Sequence, residues 1–353
     1  MFPDAGLDRE HDDIIYPSAI PFVLMHIACF AAIWSGVTWQ AIAICLVLYG
    51  VRIFAIGGGY HRYFSHRTYS TSRGFQFLLA CLAQSTTQKS VLWWAANHRH
   101  HHLFSDTPND VHSPRQRGFF YSHVGWIFTR KQDATDLTRV ADLARFPELM
   151  WLHRFEQAPS IVLAIVCFAI GGWSGLVVGF LWSTVLLYHA TFCINSLAHV
   201  HGKKRYVTGD DSRNNWFLAL LTMGEGWHNN HHAFQGSVRQ GFKWWEVDPT
   251  FYILKLLSWV GIVWDLKPPS PAVLRNEQRL SARVIHRAAE QLAARFSSER
   301  IVAASSRQLP KREEFLAEAK RMFARTRSLD DIVDRAYGIV LSSMAAQPVA
   351  EQA

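Results

Sequence analysis

The chain has 353 residues, a formal net charge of +8 and a pI near 9.4, with 49% hydrophobic, 13% aromatic and only 18% charged residues. A charged share that low, against roughly 25% in average soluble proteins, points to a membrane protein. The 36 lysines and arginines surround apolar segments instead of forming one basic stripe, which argues against a nucleic-acid binder.

The N-terminal MFPDAGLDREHDD carries acids before its apolar run and has no small-residue cleavage site, so no cleaved signal peptide is expected. No Asp, Glu, Lys or Arg occurs from Ile14 to Val51, nor between Glu156 and Lys203. A spanning helix needs about 20 apolar residues, so each run predicts two spans. The breaks fall at the turn-prone Ser35-Gly36-Val37-Thr38 and Gly171-Gly172-Trp173-Ser174-Gly175. The expectation is an all-α integral membrane protein with four spans in two hairpins, at about 20–36, 39–56, 159–175 and 176–195.

Arg52, Arg62, Arg67 and Arg73 follow the first hairpin, and Lys203, Lys204 and Arg205 follow the second. The positive-inside rule then places both open ends, with the N-terminus and C-terminal tail, on the cytoplasmic side; a bacterial plasma membrane is the expected setting. The stretch Phe75–Trp94 holds Gln84, Ser85, Thr86, Thr87, Gln88 and Lys89 at its middle and is expected to be interfacial or buried against protein. Phe251–Trp264 is short, contains Lys255, and is predicted to lie on the membrane surface. Residues 1–268 form the expected membrane domain and 269–353 a cytosolic amphipathic helical tail, where Ser328 and Asp331 resemble a capping box. The tail reads as a solvated appendage, with docking of a redox partner as the alternative. The five cysteines lie in apolar stretches without a CxxC and read as small hydrophobes.

Ten of the 18 histidines fall in four short segments: His61 and His66 in HRYFSH; His98, His100, His101 and His102 in HRHHH; His199 in NSLAH; and His228, His231 and His232 in HNNHH. Positions i, i+3 and i+4 share a helix face, so His98, His101 and His102 are expected to point at one centre, as are His228, His231 and His232, with His100 off that face. Nine convergent imidazoles exceed what one ion binds. A structural zinc is usually satisfied by four ligands, often cysteines, so the excess favours two redox-active iron ions. Both hairpins return the chain to one side, where a helical cap can gather all four segments. Asp106, Asp110 and Glu225 lie close to the boxes and are candidates for orienting the imidazoles as hydrogen-bond acceptors.

HRYFSH, HRHHH, NSLAH and GEGWHNNHHAF together resemble the membrane fatty acyl desaturases, in particular the acyl-CoA delta-9 (stearoyl-CoA) type, over roughly Ile20–Pro268; FSDTPNDVHSP and RGFFYSHVGWIFTRK resemble the same type. The looser three-box pattern is shared with hydroxylases and ketolases, whose products gain oxygen. A non-enzymatic metal transporter is disfavoured because the spans offer only His26 and His189 as ionisable residues.

The resemblance implies two iron ions ligated by His61, His66, His98, His101, His102, His199, His228, His231 and His232, with Asn195 holding one through water. It also implies a bent acyl tunnel at Gln88, Trp94 and Thr191, and Arg130 and Lys131 near the coenzyme A phosphates. The implied reaction removes two hydrogens from a long-chain fatty acyl-CoA, introducing a cis double bond with O2 as oxidant. Animal members carry an Arg-Asp pair where this chain has Ala96 and Asn97, and the chain contains no HPGG haem motif. A separate electron donor, ferredoxin-like or cytochrome b5-like, with its reductase is therefore expected, alongside membrane lipid.

Overall fold

The structure is a computed structural model that describes residues 19–129, 133–277 and 279–295 together with the single positions 313, 317 and 321. Arg130, Lys131 and the tail segment with Ser328 and Asp331 lie outside the described residues.

Helix α1 (Ile20–Ser35) stops where Gly36 takes φ 70°, a value open to glycine because it has no Cβ to clash. Helix α2 (Trp39–Ser65) starts at Thr38, whose hydroxyl accepts from the Ala41 N–H at 3.1 Å as an N-cap. Helix α3 (Arg73–Gln84) and helix α4 (Val91–Phe104) begin at Ser72 and Ser90, which cap them in the same way. Helix α5 (Pro147–Arg154) precedes helix α6 (Ala158–Val200), which is broken into two legs at Gly172 (φ 59°, ψ −151°). The two turns touch, with Ser174 Oγ donating to the Gly36 carbonyl at 2.9 Å.

A close approach and a buried cation join the hairpins. A Cβ on Gly179 would lie 2.8 Å from Ile44 Cγ2, so the missing side chain lets α6 settle on α2. Arg52 of α2 is buried and donates to Thr184 Oγ1 (2.8 Å), Ser183 Oγ (2.5 Å) and the Ser85 carbonyl (3.2 Å); a guanidinium out of water needs such acceptors. Helices α2 and α6 are long and apolar enough to cross a membrane, whereas α1 is apolar but shorter. Leu24, Ile27 and Phe30 on α1, Leu46 and Val47 on α2, and Ile161, Ile165 and Trp173 on α6 are exposed. An apolar surface of that extent fits a neighbour other than water.

Phe75–Trp94 resolves into two helices around a buried polar turn. Gln84 donates to the Leu152 carbonyl at 3.1 Å and accepts from the Val91 N–H at 3.3 Å, so the amides that would be costly in lipid are satisfied within the protein. The cap holds helices α7 (Trp216–Leu221), α8 (His228–Ala233), α9 (Pro249–Trp259) and α10 (Ala282–Arg295), with an antiparallel pair β1 (Ser70–Thr71) and β2 (Val263–Trp264). The segment Phe251–Trp264 is thus a helix followed by a strand, and Tyr252, Leu256 and Trp259 are exposed on it.

The helix that contains the expected span 39–56 is longer than that span. Helix α2 runs on to Ser65, with Ala55–Ser65 wound as a π-helix, and so carries His61 itself. Residues five apart diverge by about 140° on an α-helix but stack when the hydrogen bonds run i→i+5. The His66 N–H donates to the His61 carbonyl at 3.2 Å, so the wider turn brings both rings of the HxxxxH segment to one face. Gly57, Gly58 and Gly59 make room for it, since a Cβ on Gly57 would lie 2.7 Å from Glu225 Oε1.

Candidate metal centre

The four segments meet in one place. His61, His66, His98, His102 and His231 bring one ring nitrogen each within 4.8 Å of one another, and His101, His199, His228 and His232 form a second such group. This corrects the expectation that each HxxHH triad points at one centre. In both triads the i and i+4 histidines go to one group and the i+3 histidine to the other: His98 and His102 part from His101, and His228 and His232 part from His231. Adjacent residues diverge by about 100°, so neighbouring histidines are directed to different groups. His100 belongs to neither group, and its Nε2 bonds the Asn109 carbonyl at 2.9 Å.

Four carboxylates hold four of the rings. Asp106 faces His199 Nδ1 at 2.9 Å, Asp110 faces His101 Nδ1 at 2.9 Å, Asp210 faces His232 Nδ1 at 2.8 Å, and Glu225 pairs with His61 Nδ1. An N–H fixed on Nδ1 leaves the Nε2 lone pair for the interior. Burial works against the charged forms of Asp106, Asp110 and Asp210, yet the facing imidazoles keep all three well below the usual carboxylate range. Glu225, buried between His61 and Arg62, is held at about 2. Burial pushes His66, His98, His102, His228 and His231 down, leaving them neutral, which is the ligating form. Burial also acts on His199, but Asp106 and Asp210 outweigh it and raise that ring to about 9. A cation entering the four-histidine group therefore displaces a proton there, as metal binding to imidazole commonly does.

The donor set fits metal ions. His98 Nε2 lies 2.9 Å from Nε2 of both His66 and His102, and His231 Nε2 lies 3.0 Å from that of His61 and 2.9 Å from that of His102. So many ring nitrogens cannot all be satisfied by sharing the few available protons, and cations among them resolve the conflict. His232 Nε2 and His102 Nδ1 are buried with no hydrogen-bond partner in the protein, so each ring keeps a nitrogen that the chain does not satisfy.

An apolar cavity of about 360 Å³ ends against the first group. Phe22, Met25, Trp93, Tyr188 and Phe192 line it, together with His98, His112 and Asn195. The three expected tunnel positions are there: Gln88 donates to Thr191 Oγ1 at 3.1 Å, and Trp94 stacks on His98 with ring centroids 4.8 Å apart. Asn195 is half-buried and lines the cavity at the last residue of its helical segment, just before the Leu197–Val200 turn that carries His199.

Several neighbours were not singled out by sequence. Asp210 stands far from His232 in the chain; the only signal was the acid pair Asp210-Asp211 between the third and fourth boxes. Gln240 Nε2 lies 3.1 Å from His61 Nδ1 and 3.2 Å from Glu225 Oε2. Arg62, inside the first box, is buried and bonds Glu225 and Asp248, each at 2.9 Å. His112 lies beside His101, with ring centroids 4.6 Å apart. Away from the metal groups, His26 and His189, which the sequence left without clustered partners, are joined Nε2 to Nε2 at 3.1 Å, and His123 Nε2 meets His189 Nδ1 at 3.0 Å.

The glycines around Glu225 decide whether α8 can sit under α7. A Cβ on Gly226 would lie 2.1 Å from Ala219 N and 2.5 Å from the Asn215 carbonyl, both backbone atoms. Gly226→Ala is expected to cost about 3 kcal/mol by overpacking and to lower metal content with it. A thermal melt and metal content equal to those of the unaltered chain would contradict this packing.

Such a centre, in which histidines on helices form two neighbouring groups able to hold metal ions beside an apolar cavity, fits a class of metal-binding protein with room for an apolar chain. A family model described as fatty acid desaturase matches residues 37–257. Over 250 residues, 70% of this chain and 77% of the relative, the chain is 37% identical to an acyl-CoA 5-desaturase of Anemone leveillei. It is 38% identical over 70% of its length and 91% of the relative to an sn-1 stearoyl-lipid 9-desaturase of Anabaena variabilis. It is also 35% identical, over 78% of its length and 74% of the relative, to a chloroplastic palmitoyl-monogalactosyldiacylglycerol delta-7 desaturase of Arabidopsis thaliana. The chain belongs to the fatty acid desaturase family. Its members are membrane-associated oxidoreductases that act on fatty acyl chains with O2 and an electron donor.

Proposed function

We propose that the protein desaturates a long-chain fatty acyl-CoA, introducing a cis double bond at the delta-9 position, from a site held by four membrane spans with the histidine cap on the cytoplasmic side. The observation that carries this reading is the apolar cavity of about 360 Å³ that ends at His98. Methylenes along an alkyl chain differ little in reactivity, so position must come from where the cavity holds the chain. His61, His66, His98, His102 and His231 would hold one iron, and His101, His199, His228 and His232 the other, with Asn195 contributing through water. When bound, the pair of irons would supply the oxidising power, drawn from O2 and two electrons of a separate ferredoxin-like or cytochrome b5-like donor, that removes two hydrogens.

The chain's own residues do the placing. Trp94 and Thr191 shape the wall beside His98, Gln88 fixes Thr191, and Phe22, Tyr188 and Phe192 exclude water from the alkyl chain. Glu225, Asp106, Asp110 and Asp210 keep four imidazoles aimed inward as the charge at the centre changes. Arg130 and Lys131 are assigned to the coenzyme A phosphates by resemblance and charge. Acyl-lipid is the second reading for the carrier, favoured by Ala96 and Asn97 in place of the Arg-Asp pair and by the acyl-lipid desaturases among the relatives.

Filling the cavity tests the placing. Thr191→Trp is expected to shift preference towards shorter acyl chains by about tenfold or more, the scale on which apolar pockets discriminate methylenes. Competition between 18-carbon and 14-carbon substrates reads it, and an unchanged preference with normal turnover would remove Thr191 from the acyl path. Parallel assays with stearoyl-CoA and with stearoyl-lipid vesicles test the carrier: turnover with CoA esters supports the first reading, and turnover confined to lipid the second.

A further inference from the structure

Helix α10 follows the region matched by the family and packs on the Gly209 turn, whose next residue faces a ring of the four-histidine group. Ser281 caps it, its hydroxyl accepting from the Val284 N–H at 3.3 Å, and Ala288 and Ala289 are buried beneath it. Two side chains one helical turn apart reach back to the cap. Arg287 donates to the carbonyl of Leu103, the residue after His102, at 2.7 Å, and Gln291 donates to the carbonyl of Gly209 at 2.7 Å. The first bond satisfies a carbonyl in the last turn of α4, which would otherwise lack an intrahelical partner. The second holds a turn in which Gly209 has φ +76° and where a Cβ would lie 3.0 Å from Arg287 Cβ, so the glycine permits the close approach of α10.

What that turn carries gives the contact its meaning. Asp210 follows Gly209 and faces His232 Nδ1 at 2.8 Å. The Asp211 N–H donates at 2.7 Å to Asp106 Oδ2, the oxygen that faces His199 Nδ1. Two of the four histidines in the second group thus face carboxylates that this turn carries or bonds; Ser113 also holds Asp106, Lys204 and Arg115 also hold Asp211, and α10 bonds the first residue of the turn. In the five-histidine group, His61 is held by Glu225, which Arg62 and Gln240 position, and α10 reaches that group only through the Arg287 bond to Leu103 beside His102.

We propose that α10 is a strap, anchored to α4 by Arg287, whose Gln291 holds the Gly209–Asp211 turn, the two acting as positioning residues that set how tightly the four-histidine group retains its metal ion. The proposal rests on the two-ion reading above. Losing an outer partner of a metal-ligating histidine typically weakens metal binding 10- to 100-fold, and these residues act one bond further out, so about a tenfold effect at one of two sites is expected.

The test is iron per chain in the full-length protein during a graded chelator challenge, with Mössbauer spectra to follow the two irons separately. The variant Arg287→Ala/Gln291→Ala is expected to lose one iron at about tenfold lower chelator and to lose one quadrupole component first, with the other retained. Gln291→Ala alone should give an intermediate shift, and Arg287→Lys, which keeps a donor, should recover part of it. His286→Ala on the exposed face of α10, where His286 pairs with Glu290, should match the unaltered chain. Equal retention of both irons in all variants would overturn the strap, as would simultaneous loss of both irons in Gln291→Ala with an unchanged melting temperature. An unaltered chain that binds fewer than two ions would instead overturn the two-ion reading on which the proposal rests.

Discussion

His231→Ala is expected to reduce iron from two to one per chain and to lower turnover by more than the roughly 100-fold that loss of an outer partner of a ligand costs. His231 Nε2 touches Nε2 of both His61 and His102, so it joins rings from the first, second and fourth boxes. Alanine in its place leaves four histidines in that group but opens the side that α8 closes. His100→Ala is the control. It lies one residue from His101 but belongs to neither group, so iron content should remain at two and turnover within about threefold, since its hydrogen bond to the Asn109 carbonyl is partly exposed and worth about 1 kcal/mol. Iron analysis and turnover on the same preparations decide it; equal iron in the His231→Ala protein would contradict the grouping.

The second large effect concerns stability apart from metal. Arg62 is fully buried with Glu225 and Asp248 on it, and Glu225 also serves His61. Breaking a buried ion pair by removing one partner costs about 3–5 kcal/mol, because the remaining charge cannot return to water. Asp248 stays on Arg62 in Glu225→Ala, which places the expected loss near the lower end, about 3 kcal/mol. Melting the metal-free protein in chelator separates this from metal loss. Glu225→Gln, which retains one oxygen but loses the charge, should fall between. A metal-free Glu225→Ala protein as stable as the unaltered chain would show that the triad is not what anchors the π-helical turn of α2.

The long apolar helices were legible because a charge-free run suits an apolar surface, and Gly36 and Gly172 mark the breaks between them. The HxxHH spacings were legible as one helical face, but the partition was not: His101 and His102 are adjacent in sequence and separate in space, and only the crossing of α4 with α8 decides which ring joins which group. HxxxxH could not be placed by α-helical periodicity, since five residues span a face only in the π-helix that the three glycines at 57–59 allow. Asp106, Asp110 and Glu225 could be nominated because they sit near a box. Asp210 and Gln240 could not, because their partners, His232 and His61, are brought to them by the tertiary fold. The contacts of α10 were equally hidden, since the bonds of Arg287 and Gln291 end on backbone carbonyls, which leave no trace in the sequence.

The most direct test of the central claim is mass spectrometry of the acyl products from anaerobically iron-loaded protein given stearoyl-CoA or stearoyl-lipid, a reductant system and O2, with His101→Ala as control. An oxygen-dependent product two hydrogens lighter than the substrate, absent without O2 and absent from the control, is the predicted result. A product that gains an oxygen atom while keeping those hydrogens would contradict desaturation and assign the site to hydroxylation.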